Sequence, residues 1–158
     1  MTANAIIIEH LNQILSNELT AISQYFVHSK MVGDWGFQSL SSHMRSEAID
    51  EMRHADQLID RILYLEGMPD LQRLGKINIG KTVPEMMKLD LQLEIEAVSY
   101  LNSTINVCNE ANDNGTLELV KEILVAEEAH IGWVREQLSL IEHIGTQNYL
   151  TQHLKASL

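Results

Sequence analysis

The stretch GMPDLQRLGKINIGKTV, residues 67–83, decides how this chain folds. Its 17 residues show no helical face, yet long segments with helical periodicity lie on both sides. A first helix of about 28 residues would be about 42 Å long at 1.5 Å rise per residue. A connection of this size stretches to about 56 Å at roughly 3.3 Å per residue, enough to run the whole length of such a helix. Structureless connections this long are uncommon in compact domains and need a reason. A crossover between two helical hairpins supplies one, in place of a simple up-down-up-down bundle.

On the N-terminal side, Ala5 to about Val32 reads as one helix with a face at Ile7, Leu11, Ile14, Glu18, Ala21 and Tyr25. Gly33-Asp34-Trp35-Gly36 forms a tight turn, and a second face follows at Leu40, Met44, Glu47, Glu51, His54, Leu58, Ile62 and Leu65. On the C-terminal side, Pro84 opens a third helix with a face at Met87, Asp90, Glu94, Ala97, Leu101, Ile105 and Cys108. After a break at 109–115, a fourth face runs through Leu117, Val120, Leu124, Glu127, His130 (or Ile131), Val134, Leu138 and Ile141. Gly145 stops it ahead of a short amphipathic C-terminal helix with Tyr149 and Leu150. The reading is an all-α chain, one domain over 1–158: a four-helix bundle with a long crossover between the second and third helices.

Composition agrees. With 158 residues, one core suffices to fold without staples. Two prolines and eight glycines are too few to punctuate a many-stranded β fold. A net charge of −11 without a Lys/Arg cluster argues against nucleic acid or an anionic membrane as partner, and favours cations. One cysteine, Cys108, excludes an intrachain disulfide. No basic leader and no stretch of about 20 apolar residues is visible, so a soluble cytoplasmic protein is expected.

The unusual feature is acidic residues on faces that should be apolar. Glu18, Glu51, Glu94 and Glu127 each fall on an inward face, with His54 and His130 one turn beyond two of them. A buried carboxylate is costly unless protonated, paired or metal-bound, and no Lys or Arg falls on these four faces to pair them. Glu18 and Glu51 lie equidistant from the turn at 33–36, and Glu94 and Glu127 from the edge of the second turn, so each pair sits at one height of its hairpin. One offset, 76 residues, relates Glu18 to Glu94, Glu51 to Glu127 and His54 to His130. Each hairpin therefore supplies one Glu and one Glu-x-x-His, the arrangement of dinuclear carboxylate centres in helix bundles. Four carboxylates balance two divalent ions, and oxygen and imidazole donors without thiolate suit iron or manganese, with zinc also able to bind.

These residues carry a resemblance. Asn17-Glu18-Leu19, Ala21-Ile22, Gln24-Tyr25-Phe26, Ile49-Asp50-Glu51-Met52, His54-Ala55-Asp56, Arg61-Ile62-Leu63, Leu65-Glu66-Gly67, Glu127-Glu128, His130-Ile131 and Gln147-Asn148-Tyr149-Leu150 resemble bacterioferritin, with matching spacing along nearly the whole chain. The resemblance implies a ferritin-like bundle assembled, about 24 subunits at a time, into a hollow iron-storage shell. It implies an intrasubunit di-iron ferroxidase centre of Glu18, Glu51, His54, Glu94, Glu127 and His130, with Glu51 and Glu127 bridging. Fe(II) would be oxidised there by dioxygen or peroxide, and the ferric mineral stored inside. It implies haem b held by Met52 from each of two subunits, a tyrosine (Tyr25) beside the iron pair, and a bacterioferritin-associated ferredoxin delivering electrons for release. Asp50 would bind iron on the cavity side, although Ser46 stands where many members have His and Thr151 where Gln is frequent.

The residues leave rivals open: a ferritin-like di-iron oxidase or peroxidase without storage, a structural bundle with solvated acids, or a subunit of a mixed cage. His10, His28, His143 and His153 are expected at solvent or interfaces, Cys108 in the core, and Trp35 and Trp133 as packing anchors.

Overall fold

The computed structural model describes residues 1–155 and has five helices: α1 (Ala3–Asp34), α2 (Gln38–Tyr64), α3 (Val83–Glu110), α4 (Asn114–Ile144) and α5 (Thr146–Thr151). The local chemistry at the ends explains the boundaries. The Thr2 hydroxyl accepts the Ala5 N–H at the start of α1, Thr82 accepts that of Glu85, and Asp113 that of Thr116, so α1, α3 and α4 each open on a side-chain cap. At Thr82-Val83-Pro84-Glu85 the Glu85 carboxylate also reaches back to the Lys81 N–H, and Pro84 sits in the first turn where its missing N–H costs nothing. Between α1 and α2 the chain reverses through Gly36 at φ 98°, a left-handed conformation that favours glycine. There Phe37 N–H closes the helix end on the Val32 carbonyl.

α1 lies against α2 and α3 against α4, and the hairpins meet through α1–α3 and α2–α4. The crossover occupies 65–82 and runs parallel to α1, fastened to one polar row of it. Asn12 bonds the Met68 carbonyl and the Asp70 N–H; Thr20, Gln24 and His28 accept the N–H groups of Gly75, Asn78 and Gly80. A polar side chain every four residues from Thr20 thus satisfies a backbone that has no sheet or helix to join.

The apolar interior forms two main clusters. One gathers Leu11, Ile14, Leu58, Ile62, Leu101 and Ile123; the other Val32, Leu40, Met44, Met86, Val134 and Tyr149. α5 closes the second end: Tyr149 is buried and its hydroxyl donates to Gln137, while His153 bonds Ser39. The expected faces hold with three shifts of one residue, at Ile123, Thr104 and Gln137, the last buried where Leu138 is expected. Ile123 and Thr104 are the fully buried positions, with Leu124 and Ile105 beside them at the edge of the core. A 3.6-residue turn leaves two neighbours competing for such a place.

Three smaller expectations are corrected or refined. His28 does not face solvent or an interface; it is fully buried, its ring held by Asp90 and Gly80. Trp35 is 42% exposed and anchors no core, whereas Trp133 stacks on His43 at 3.6 Å between ring centroids. Cys108 is buried as expected, and burial pushes its thiol up to about 11.

Candidate metal centre

Between the two apolar clusters the bundle carries a polar layer. Glu18 comes from α1, Glu51 and His54 from α2, Glu94 from α3, and Glu127 and His130 from α4. All four carboxylates are buried and both imidazoles nearly so. The six residues meet as two overlapping sets, Glu18/Glu51/His54/Glu127 and Glu51/Glu94/Glu127/His130, and within each set one donor atom per residue lies within 4.8 Å of the others. Glu51 and Glu127 belong to both.

The two halves are nearly equivalent. His54 Nδ1 stands 3.2 Å from Glu127, 3.5 Å from Glu51 and 3.7 Å from Glu18. His130 Nδ1 stands 3.1 Å from Glu51, 3.5 Å from Glu127 and 3.7 Å from Glu94. The 76-residue offset of the sequence is thereby a spatial pseudo-twofold. These approaches lack hydrogen-bond directionality. Both oxygens of Glu51, one each of Glu18, Glu94 and Glu127, and Nδ1 of both histidines are buried with no hydrogen-bond partner. Orphaned buried donors and acceptors on this scale are rare in native proteins, and an ion at each shared point would satisfy them together. The donor set, hard oxygens with imidazole, fits iron.

The electrostatics follow from crowding four acids in a dry layer. Burial pushes the Glu51 and Glu94 carboxyls above their ordinary range and Glu127 adds to both, while His130 and His54 offset part of this at Glu51 and His130 alone at Glu94, which is raised furthest. Burial opposes ionisation of Glu127 as well, but its contacts with Glu94, His130 and His54 outweigh that and hold it low. Burial disfavours a charged His54, yet Glu127 and Glu51 push it up to about 9; the same carboxylates raise His130.

Around this layer, Tyr25 is buried and its hydroxyl donates to Glu94 Oε1. Asp50 is half-exposed; one oxygen lies 3.3 Å from His130 Nε2 and the other accepts from Arg53. His130 therefore shows Nδ1 to the centre and Nε2 to a carboxylate, the arrangement that fixes a ligating imidazole. Ser46 is turned to the His43 carbonyl, and His43 pairs with buried Glu47 at 2.7 Å. Met52 stands apart, 55% exposed on the outside of α2, on a face shared with Ile49.

Sequence reasoning missed a second buried polar group. Gln24 donates to Asp90 at 2.8 Å and His28 Nδ1 lies 2.9 Å from the same oxygen. The signal was present as Gln24 and His28 four apart on one row of α1, and as Asp90 on the inward face of α3.

A crossover-linked four-helix bundle with a buried set of four carboxylates and two imidazoles defines a ferritin-like carboxylate metal-binding protein. The ferritin-like domain family matches residues 8–144. The chain is 44% identical over 142 residues to bacterioferritin of Mycobacterium bovis, covering 90% of this chain and 89% of that one. It is 43% identical over 155 residues to a bacterial ferritin of Synechocystis, 98% and 99% covered, and 43% over 145 residues to bacterioferritin of Streptomyces coelicolor, 92% and 87% covered. The chain belongs to the bacterioferritin family, and that membership implies iron storage.

Proposed function

We propose that this protein oxidises Fe(II) at the centre built by Glu18, Glu51, His54, Glu94, Glu127 and His130, and stores the ferric product inside a shell of about 24 subunits. The observation that carries the reading is the pair of overlapping, hydrogen-bond-starved ligand sets. Glu51 and Glu127, common to both sets, would each serve two iron ions, and Glu18 with His54, and Glu94 with His130, would complete the donors of one ion each. Dioxygen or peroxide takes the electrons, and protons displaced from His54 and the raised carboxyls leave as the cations bind. Tyr25, bonded to Glu94, orients that carboxylate and stands within reach of a redox role. Asp50 holds His130 from the cavity side and offers a first stop for iron moving inward.

Haem b belongs at Met52, whose exposed thioether with Ile49 suits a twofold contact with a second copy, one methionine from each. The Met52 thioether from each copy would hold the haem, which would supply electron transfer. The electrons for iron release come from a bacterioferritin-associated ferredoxin, and the shell is a homo-oligomer or a mixture with a second bacterioferritin subunit. No described helix is long and apolar enough to cross a membrane, and a cytoplasmic location follows from the reading.

Aerobic addition of excess Fe(II), then gel filtration with iron and protein assayed in each fraction, tests this. Iron far beyond two ions per chain is expected to co-elute with a large particle. Retention of about two per chain would instead indicate a di-iron oxidase without storage, and retention of none would overturn the ferroxidase reading.

A further inference from the structure

Around Tyr25 the apolar contact between α1 and its neighbours is thin. Its buried companions are Ala21 and Ala48, with Leu93 at the edge, while the large interlocking side chains lie in the two main clusters. Hydrogen bonds take the place of packing here. Among the described residues, four side-chain hydrogen bonds join α1 to α3, and three of them fall on Asp90 and Glu94. These two carboxylates are buried and one helical turn apart. One oxygen of Asp90 takes Gln24 at 2.8 Å and His28 Nδ1 at 2.9 Å, and one oxygen of Glu94 takes Tyr25. Gln24 and His28 are themselves held from the far side, since each accepts a crossover N–H, from Asn78 at 3.1 Å and from Gly80 at 3.0 Å. The crossover, α1 and α3 thus converge on Asp90, which belongs to neither ligand set.

Building on the metal-centre reading above, we propose that Asp90 is a positioning residue for the centre: by holding Gln24 and His28 it fixes the register of α3 on α1 at which Tyr25 reaches Glu94. A ligand's outer hydrogen-bond partner decides which way the ligand faces, and Tyr25 is that partner for Glu94. Two alanines cannot set the height of one helix against the other. Without the bonds to Asp90, this turn of α3 is free to shift, and Glu94 parts from Tyr25. Glu94 serves one ligand set only, so the other set keeps all four of its donors. The loss falls on one ion of the two.

The test is a spectroscopic titration of the metal-free assembled protein with Co(II), in which wild type is expected to bind two ions per chain. Asp90→Ala should weaken the second ion about tenfold and leave the first unchanged. Tyr25→Phe should do the same, and the double variant should be no weaker than either single one, because both remove one interaction. Asp90→Asn keeps an oxygen for Gln24 and His28 and should restore wild-type affinity. Gln24→Met leaves His28 on Asp90; it should weaken the second ion by less, and it carries the test if Asp90→Ala does not fold. Thr104→Val removes the remaining α1–α3 bond, about 15 Å along α3 from Glu94, and should leave both ions unchanged. Unchanged affinity in Asp90→Ala and Gln24→Met, equal weakening of both ions, or multiplied losses in the double variant would overturn the positioning role and leave the centre intact. Absence of Co(II) uptake by wild type would overturn the centre itself, and the role of Asp90 with it.

Discussion

Glu94 shows how much one side chain decides here. Its carboxylate is buried, accepts from Tyr25, and belongs to only one of the two ligand sets. Glu94→Ala is therefore expected to bind one Co(II) per chain where wild type binds two, read as the plateau of a spectroscopic titration. A bundle with merely solvated acids would show no change. Residue identity and spacing were enough to find all six members of the layer, because a carboxylate on an apolar face has few physical excuses. The roles of Glu51 and Glu127 were not legible from spacing. Which carboxylate lies between two sites depends on side-chain direction across four helices. The resemblance supplied that assignment, and the shared membership of both sets supports it.

At the level of elements, the crossover was legible as a length and a lack of periodicity, but its fastenings were not. A polar row on α1 at Thr20, Gln24 and His28 looks from sequence like any solvated stripe. Only the backbone N–H groups laid over it give it a purpose. His28 is the strongest of these fastenings. Because Gly80 N–H can only donate, His28 Nε2 must accept it, which leaves Nδ1 to donate to Asp90. His28→Ala would leave the buried Gly80 N–H without its acceptor and take one of two donors from Asp90, which keeps Gln24, at a cost of about 2 kcal/mol. The expected outcome is faster amide hydrogen exchange at Gly80 and its neighbours, with the amides of α2 little changed. Uniform acceleration throughout the chain would show that the crossover does not open separately. The one-residue shifts at Ile123, Thr104 and Gln137 are the other limit of pattern reading: at a helix flank, periodicity cannot say which of two adjacent residues points inward.

For the whole molecule, the polar layer interrupts an otherwise continuous apolar core. Without cations the layer holds four carboxylates that burial disfavours, so the metal-free bundle is less stable than its packing would otherwise make it. Glu94→Leu, which removes one of those acids and fills the space, is expected to raise the melting temperature in chelator while reducing the further rise that Co(II) produces in wild type. A variant that melts lower in chelator would show that the layer, even empty of cations, is held favourably by its shared protons. The overall architecture was the most legible level, since four long faces and one long connection leave few arrangements. The closing role of α5 was not, because a six-residue helix carries too little periodicity and its Tyr149–Gln137 bond joins it to α4 only in three dimensions.

The 76-residue offset makes each hairpin the owner of half a coordination set, Glu18 with Glu51 and His54 in one, Glu94 with Glu127 and His130 in the other. Neither complete set lies within one hairpin. A chain cut within the crossover would keep its centre only while the two pieces stay docked, so each bound ion is a rivet driven through both halves, and counting ions counts closed molecules.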